Sequence, residues 1–146
     1  MNRPPCVPLP VLAQAPPSPA SSHFAALGEP RLTALVERFY HYMDTLPEAA
    51  RIRAMHPPAL EEVQAVLTRY FVEWTGGPAR YSMERGHPRL RMRHARFAIG
   101  TAERDAWLMC MQRALADTVP EQELRETLER KLFELADMLR NLPEGG

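Results

Sequence analysis

Apolar residues recur at helical spacing along most of the chain, and nowhere do they alternate with the period of a strand. After Gly28-Glu29-Pro30, the residues Leu32, Leu35, Val36, Phe39, Met43 and Leu46 share one helical face, with Tyr40 on its edge. Leu46-Pro47-Glu48 opens a short second helix that Pro57-Pro58 stops, and His56 sits at that corner. The cleanest repeat follows in Leu60, Val63, Leu67, Tyr70, Phe71 and Trp74. Gly76-Gly77-Pro78 ends it, glycine supplying a left-handed cap and proline barring continuation. Residues 79–87 read as loop. Pro88 suits the first turn of a further short helix, on which Leu90, His94 and Phe97 share a face.

Thr101, with Glu103 and Asp105 in the first turn, caps the next helix and complements its dipole. That helix carries Trp107, Leu108, Met109, Cys110, Met111, Ala114 and Leu115 nearly all round, which predicts a central, buried position. Thr118-Val119-Pro120-Glu121 resembles a capping box and opens a last helix striped by Leu124, Leu128, Leu132, Leu135, Leu139 and Leu142. The expected fold class is all-α, with four substantial helices and two short ones.

Composition narrows this picture. A chain of 146 residues is one domain by length. Residues 1–28 hold seven of the 15 prolines and show no periodicity, so they are expected to form a disordered tail ahead of a domain over 29–146. With 18 basic and 18 acidic residues there is no overall field to recruit nucleic acid. The local arginine cluster lacks the interleaved aromatics of single-strand binders, so no nucleic-acid partner is expected. No apolar run approaches a membrane span. The segment Val11-Leu12-Ala13-Gln14-Ala15 is too broken by Pro4, Pro5, Pro8 and Pro10 to serve as a secretion signal, which favours the cytoplasm. Cys6 in the tail and Cys110 in a buried helix make a poor disulfide pair.

The candidate chemistry lies in Gly86-His87-Pro88-Arg89-Leu90-Arg91-Met92-Arg93-His94-Ala95-Arg96-Phe97. His94 stands alone on a short apolar face while the arginines mostly point elsewhere. His87 cannot share that face, because the residue before proline is pushed out of the helical region. An apolar wall with one imidazole and a basic rim suits a flat, dianionic cofactor with a central metal, namely haem. The same spacing also fits a histidine satisfied within an ordinary core, in a helical interaction module that binds no cofactor. Tyr40 as a boundary residue, Trp107 and the Met109–Met111 pair as core, and His56 as an exposed loop residue are the corresponding plain readings.

The run GGPARYSMERGHPRLRMRHARFAIG, the following ERDAWLMCM, Phe39-Tyr40 and the tryptophan thirteen residues after His94 together resemble the truncated haemoglobins of the second group, over roughly residues 30–142. The resemblance implies a shortened globin fold, in which two antiparallel helix pairs cross around haem b (iron protoporphyrin IX). It implies that His94 is the proximal iron ligand, that Tyr40 reaches the bound ligand from the distal side, and that the Trp107 N–H points into the distal pocket. His56 falls at a corner that varies among tyrosine, histidine and phenylalanine in the family, and it offers a third donor. Val63 and Leu67 fall on the distal helix, and Tyr81 and Arg93 match positions that reach a propionate. Leu90, Phe97 and Met111 complete the expected cofactor contacts. The family usually reads Ala-Pro-Phe after the histidine, whereas this chain has Ala95-Arg96-Phe97, losing a fixed φ that ends the helix.

The implied function is haem-based binding of O₂ and of other diatomic ligands such as NO and CO, in a monomer or homodimer served by a reductase of unknown identity. The alternative is a haem-dependent redox enzyme with peroxidase-like or NO-oxidising activity, in which the same donors polarise an O–O bond.

Overall fold

The computed structural model describes residues 23–142, and every regular element among them is helical. In chain order these are α1 (Phe24–Leu27), α2 (Glu29–Thr45), a 3₁₀ turn (Pro47–Ala49), α3 (Ala50–Arg53), α4 (Glu61–Trp74), α5 (Arg80–Arg85), α6 (Leu90–His94), α7 (Thr101–Thr118) and α8 (Gln122–Met138). Helices α2 and α4 make one antiparallel pair and α7 and α8 the other. The α2–α7 crossing is the broadest contact between the pairs. The core sits at that crossing: Val36, Phe39 and Met43 of α2 meet Cys110, Met111, Ala114 and Leu115 of α7, each of them almost fully buried.

Pattern and structure agree most closely where a stripe is long. Leu32, Leu35, Val36, Phe39, Tyr40 and Met43 are all buried on α2. Leu128 and Leu132 are buried on α8, while Leu135 and Leu139 of the same stripe are half-buried. Val63, Leu67 and Tyr70 of α4 are likewise only half-buried, although they carry the most regular repeat in the chain. The core does not absorb these side chains. They face a cavity.

Local signals met more competition. Residues 80–85 form a helix where loop was expected. A six-residue helix is too short to display periodicity, and it is held by tertiary contacts: the Ser82 N–H and hydroxyl both donate to the Glu73 carboxylate, and Tyr81 is buried edge-on to Tyr70. Pro88 does not enter α6. Arg89 adopts a left-handed conformation (φ 46°), its N–H donating to His87 Nδ1, and the helix begins at Leu90. Thr101 lies inside α7 rather than capping it. Gly100 precedes the helix, and its N–H donates to Glu103 Oε1 at 2.8 Å. Thr118 closes α7, donating to the Ala114 carbonyl, and α8 starts three residues later than the apparent capping box. Helix α7 is central but not buried all round, since Asp105, Gln112, Arg113 and Asp117 are exposed.

Residues 23–28, placed by sequence in the tail, belong to the folded part. The Phe24 N–H donates to the Thr75 carbonyl at 2.8 Å, Leu27 is buried, and Phe24 packs on the core. The rest of the expected tail, with Cys6, lies outside the described residues. The two glycines that end α4 serve different needs. Gly76 takes a positive φ of 104°, whereas a Cβ on Gly77 would lie 2.8 Å from the Phe24 ring and 2.9 Å from Val72. Gly77→Ala is therefore expected to destabilise by about 1–3 kcal/mol through forced displacement of Phe24. In a Phe24→Ala background the same change should cost less, with the contact to Val72 remaining, a coupling measurable by a denaturant double-mutant cycle.

Candidate functional site

A cavity of about 530 Å³ lies between the two helix pairs, within the range of small-molecule and cofactor sites. Helix α2 supplies Tyr40. The corner after α3 supplies His56, α4 supplies Val63 and Leu67, α5 supplies Tyr81, α6 supplies Leu90 and His94, and α7 supplies Trp107. The structure thus brings eight of the sequence-derived candidates to one cavity. Three lie elsewhere. Arg93 donates to the Pro88 carbonyl at 2.7 Å and to that of Arg85 at 3.5 Å, tying down the α5–α6 connection. Phe97 falls beyond the end of α6, where it is half-buried under the Arg96 guanidinium at 4.8 Å. Met111 is fully buried in the core.

Several lining residues were not among the candidates. Ile99 takes the place expected for Phe97, because the chain turns after His94 and is pinned by Asn141, whose N–H donates to the Ile99 carbonyl at 2.8 Å. Arg85 at the end of α5 brings a guanidinium to the rim. Tyr70, Leu135 and Leu139 lay on apolar stripes already visible in the sequence, but periodicity does not separate a core-facing position from a cavity-facing one.

His94 is held by its own helix. Its Nδ1 lies 2.7 Å from the carbonyl oxygen of Leu90, four residues earlier. A carbonyl only accepts, so Nδ1 carries a proton, and in the neutral ring Nε2 keeps its lone pair. A metal requires an imidazole in this state, with the partner of Nδ1 fixing tautomer and ring orientation. His56 repeats the arrangement, with Nδ1 2.8 Å from the Ile52 carbonyl. Burial, with smaller contributions from Arg53 and His94, holds its pKa below the ordinary value and outweighs the hydrogen bond to Ile52. With Nδ1–H committed to the Ile52 carbonyl, Nε2 of the neutral ring is an acceptor, whereas the sequence suggested a third donor here.

Tyr40 and Trp107 supply the opposite polarity. Tyr40 is buried, edge-on to Phe39 and to His56, and burial pushes its hydroxyl pKa well up, so it stays a neutral O–H donor. Trp107 packs edge-on to Phe39 at 5.3 Å. Neither the Tyr40 hydroxyl nor the Trp107 N–H has a hydrogen-bond partner among the described residues. Tyr70, edge-on to Tyr81, is pushed up to about 12 by burial and by the neighbouring Glu73. The donor set suits haem: an imidazole whose Nε2 has no protein partner among the described residues, half-buried apolar walls and a guanidinium at the rim. No cluster of three metal-ligating side chains exists among the described residues, so a metal here would come with its own chelate.

The bacterial-like globin family profile matches residues 22–141. The chain is a bacterial-like globin. Haem-based binding of diatomic gases comes with that family. Among curated proteins, this globin is 36% identical to the group 2 truncated hemoglobin YjbI of Bacillus subtilis over 109 residues, 75% of this chain and 80% of that one. Among solved structures, the group II 2-on-2 hemoglobin of Agrobacterium tumefaciens matches with a TM-score of 0.79 at 42% identity, covering 85% of this chain and 97% of that one. A cold-adapted truncated hemoglobin from the Antarctic bacterium Pseudoalteromonas haloplanktis matches with a TM-score of 0.81 at 34% identity, over 84% and 99% of the two chains. A truncated oxygen-avid haemoglobin from Bacillus subtilis matches with a TM-score of 0.76 at 34% identity, over 82% and 99%. This globin shares their shortened 2-on-2 fold. No helix among its described residues is long and apolar enough to cross a membrane.

Glu103 is the buried carboxylate of the cavity wall. The Gly100 N–H, and then Arg51 at 3.0 Å, hold its pKa below the ordinary value. A depressed carboxylate stabilises the fold above its unfolded pKa, about 4.5, and loses that contribution as pH falls through its lower folded value. Glu103→Gln is expected to be less stable than the parent at pH 7, with the gap in urea midpoint closing as pH falls below about 4.

Proposed function

We propose that this globin holds haem b through His94 Nε2 and binds O₂, with NO and CO as further ligands, under the control of Tyr40 and Trp107. The observation that carries the reading is the commitment of His94 Nδ1–H to the Leu90 carbonyl, which leaves Nε2 as the ring nitrogen without a protein partner among the described residues, in a side chain that lines an apolar cavity. Bound haem supplies an iron with one coordination position for protein and one for a gas. The half-buried stripes of α4 and α8 are the apolar surface such a macrocycle would cover, through Val63, Leu67, Leu135 and Leu139. Tyr81 and Arg85 are the polar groups at hand for its propionates.

Tyr40 and Trp107 come from different helices and line the same cavity as unpaired donors. A diatomic ligand carrying partial negative charge accepts such hydrogen bonds, each stabilising by roughly 1.5–3 kcal/mol. A net 1.4 kcal/mol is about tenfold in an equilibrium constant. Two such donors support tight O₂ binding with slow release, in line with the oxygen-avid character named for the Bacillus subtilis relative. Slow release argues against simple oxygen delivery.

His94→Ala is expected to abolish stoichiometric haem binding, or to leave weakly held haem that added imidazole rescues. Normal haem retention with an unchanged ferrous absorption spectrum would remove the assignment. Tyr40→Phe and Trp107→Phe each keep an apolar ring and delete one donor. Stopped-flow O₂ release should accelerate in both, by about tenfold for each 1.4 kcal/mol lost. The double variant should be non-additive because the donors share one acceptor. Unchanged release in both single variants would exclude a hydrogen-bonded pocket even with haem in place.

A further inference from the structure

Between Arg85 and Arg96 the chain carries five arginines and no acidic residue, in a protein whose total charge is zero. The side chains of Arg89 and Arg91 have no partner among the described residues, and Arg93 is spent on backbone carbonyls. Arg96 lies over Phe97, and only Arg85 comes near carboxylates, those of Glu84 at 3.8 Å and Glu62 at 3.9 Å. One methionine stands out among these cations, Met92 at 63% exposure. Methionine is a common adaptable contact at protein-binding surfaces. The chain's own remaining segments offer little to neutralise the patch: residues 1–22 contain no acid, and residues 143–146 contain only Glu144.

The position matters as much as the charge. Leu90 and His94 of α6 line the cavity, while Arg91, Met92 and Arg93 of the same five-residue helix are exposed. A helix is about 10–12 Å across with its side chains, so a protein seated on the outer face of α6 is separated from the cavity by little more than this one element. We infer that the surface formed by Arg89, Arg91 and Met92 docks an acidic one-electron donor protein that reduces the cofactor. This rests on the haem reading above. In the transfer the donor loses one electron and the iron goes from ferric to ferrous, with no bond made or broken. A protein partner is favoured over nucleic acid because the patch carries the exposed thioether of Met92 and no exposed Phe, Tyr or Trp on which a base could stack. It is favoured over a lipid surface because α6 is too short to lie as an amphipathic anchor.

The test uses the full-length, haem-loaded chain and an acidic plant-type ferredoxin as the probe. Calorimetric titration with oxidised ferredoxin should show binding that weakens about tenfold or more between about 0.01 M and 0.15 M salt, as the screening length falls from about 30 Å to about 8 Å. Reduction of the ferric protein by reduced ferredoxin should slow in parallel. The double variant Arg89→Glu/Arg91→Glu should lose about tenfold in both measurements at low salt and lose the salt dependence, while keeping its haem content and CO-bound spectrum. Equal binding and reduction by wild type and variant would overturn the docking surface, and so would an absence of ferredoxin binding. Arginine-dependent binding to duplex DNA or phosphatidylglycerol vesicles in place of ferredoxin would overturn it in favour of those partners. A chain that binds ferredoxin through these arginines but retains no haem would overturn the proposed function and leave the surface standing.

Discussion

One hydrogen bond sets the chemistry of the cavity. The Leu90 carbonyl sits 2.7 Å from His94 Nδ1, and because a carbonyl cannot donate, the proton is on Nδ1. A histidine satisfied in an ordinary core would have both nitrogens engaged. Here one is engaged within the helix and the other is left to a space walled by apolar side chains. The short length of α6 fits this requirement. It needs only enough turns to bring Leu90 beneath His94, and the chain leaves the helix directly afterwards.

Two imidazoles and two unpaired donors divide the cavity by polarity. His94 and His56 have committed their Nδ1–H groups to backbone carbonyls, so each leaves Nε2 uncommitted, with a lone pair in the neutral ring. Tyr40 and Trp107 present hydrogen and have no protein acceptor among the described residues. Unpaired polar groups in an apolar setting cost free energy unless something meets them. So do half-buried stripes such as Val63, Leu67, Leu135 and Leu139, which stay partly open along the cavity. A ligand that filled the cavity would recover both, and by mass action would stabilise the fold.

The helices that build the core were legible because long stripes average over local exceptions. The α2 pattern maps onto six buried residues, and the apolar face of α4 ends where Gly76 and Gly77 end it. What periodicity could not supply was the destination of a stripe: Leu135 looks no different in sequence from Leu132, yet the first lines the cavity and the second is core. Short elements were harder, because α5 is held by Glu73 and Tyr70 from another helix rather than by its own sequence. Arg93 and Phe97 sat at plausible spacings for cofactor contacts, but the left-handed turn at Arg89 and the early end of α6 turned them elsewhere. The histidine's role came from resemblance rather than spacing, since one imidazole on an apolar face fits a core equally well.

The central claim is that a single protein nitrogen, His94 Nε2, holds the iron while the other residues only shape the gas side. The most direct measurement is the absorption spectrum of the purified, haem-loaded protein in its ferrous form, without added ligand. The account predicts a Soret band and a mainly high-spin, five-coordinate ferrous spectrum that converts to a six-coordinate form on adding CO. A stable low-spin, six-coordinate ferrous spectrum before any ligand is added would show that His56, or another side chain, also holds the iron, and would contradict it.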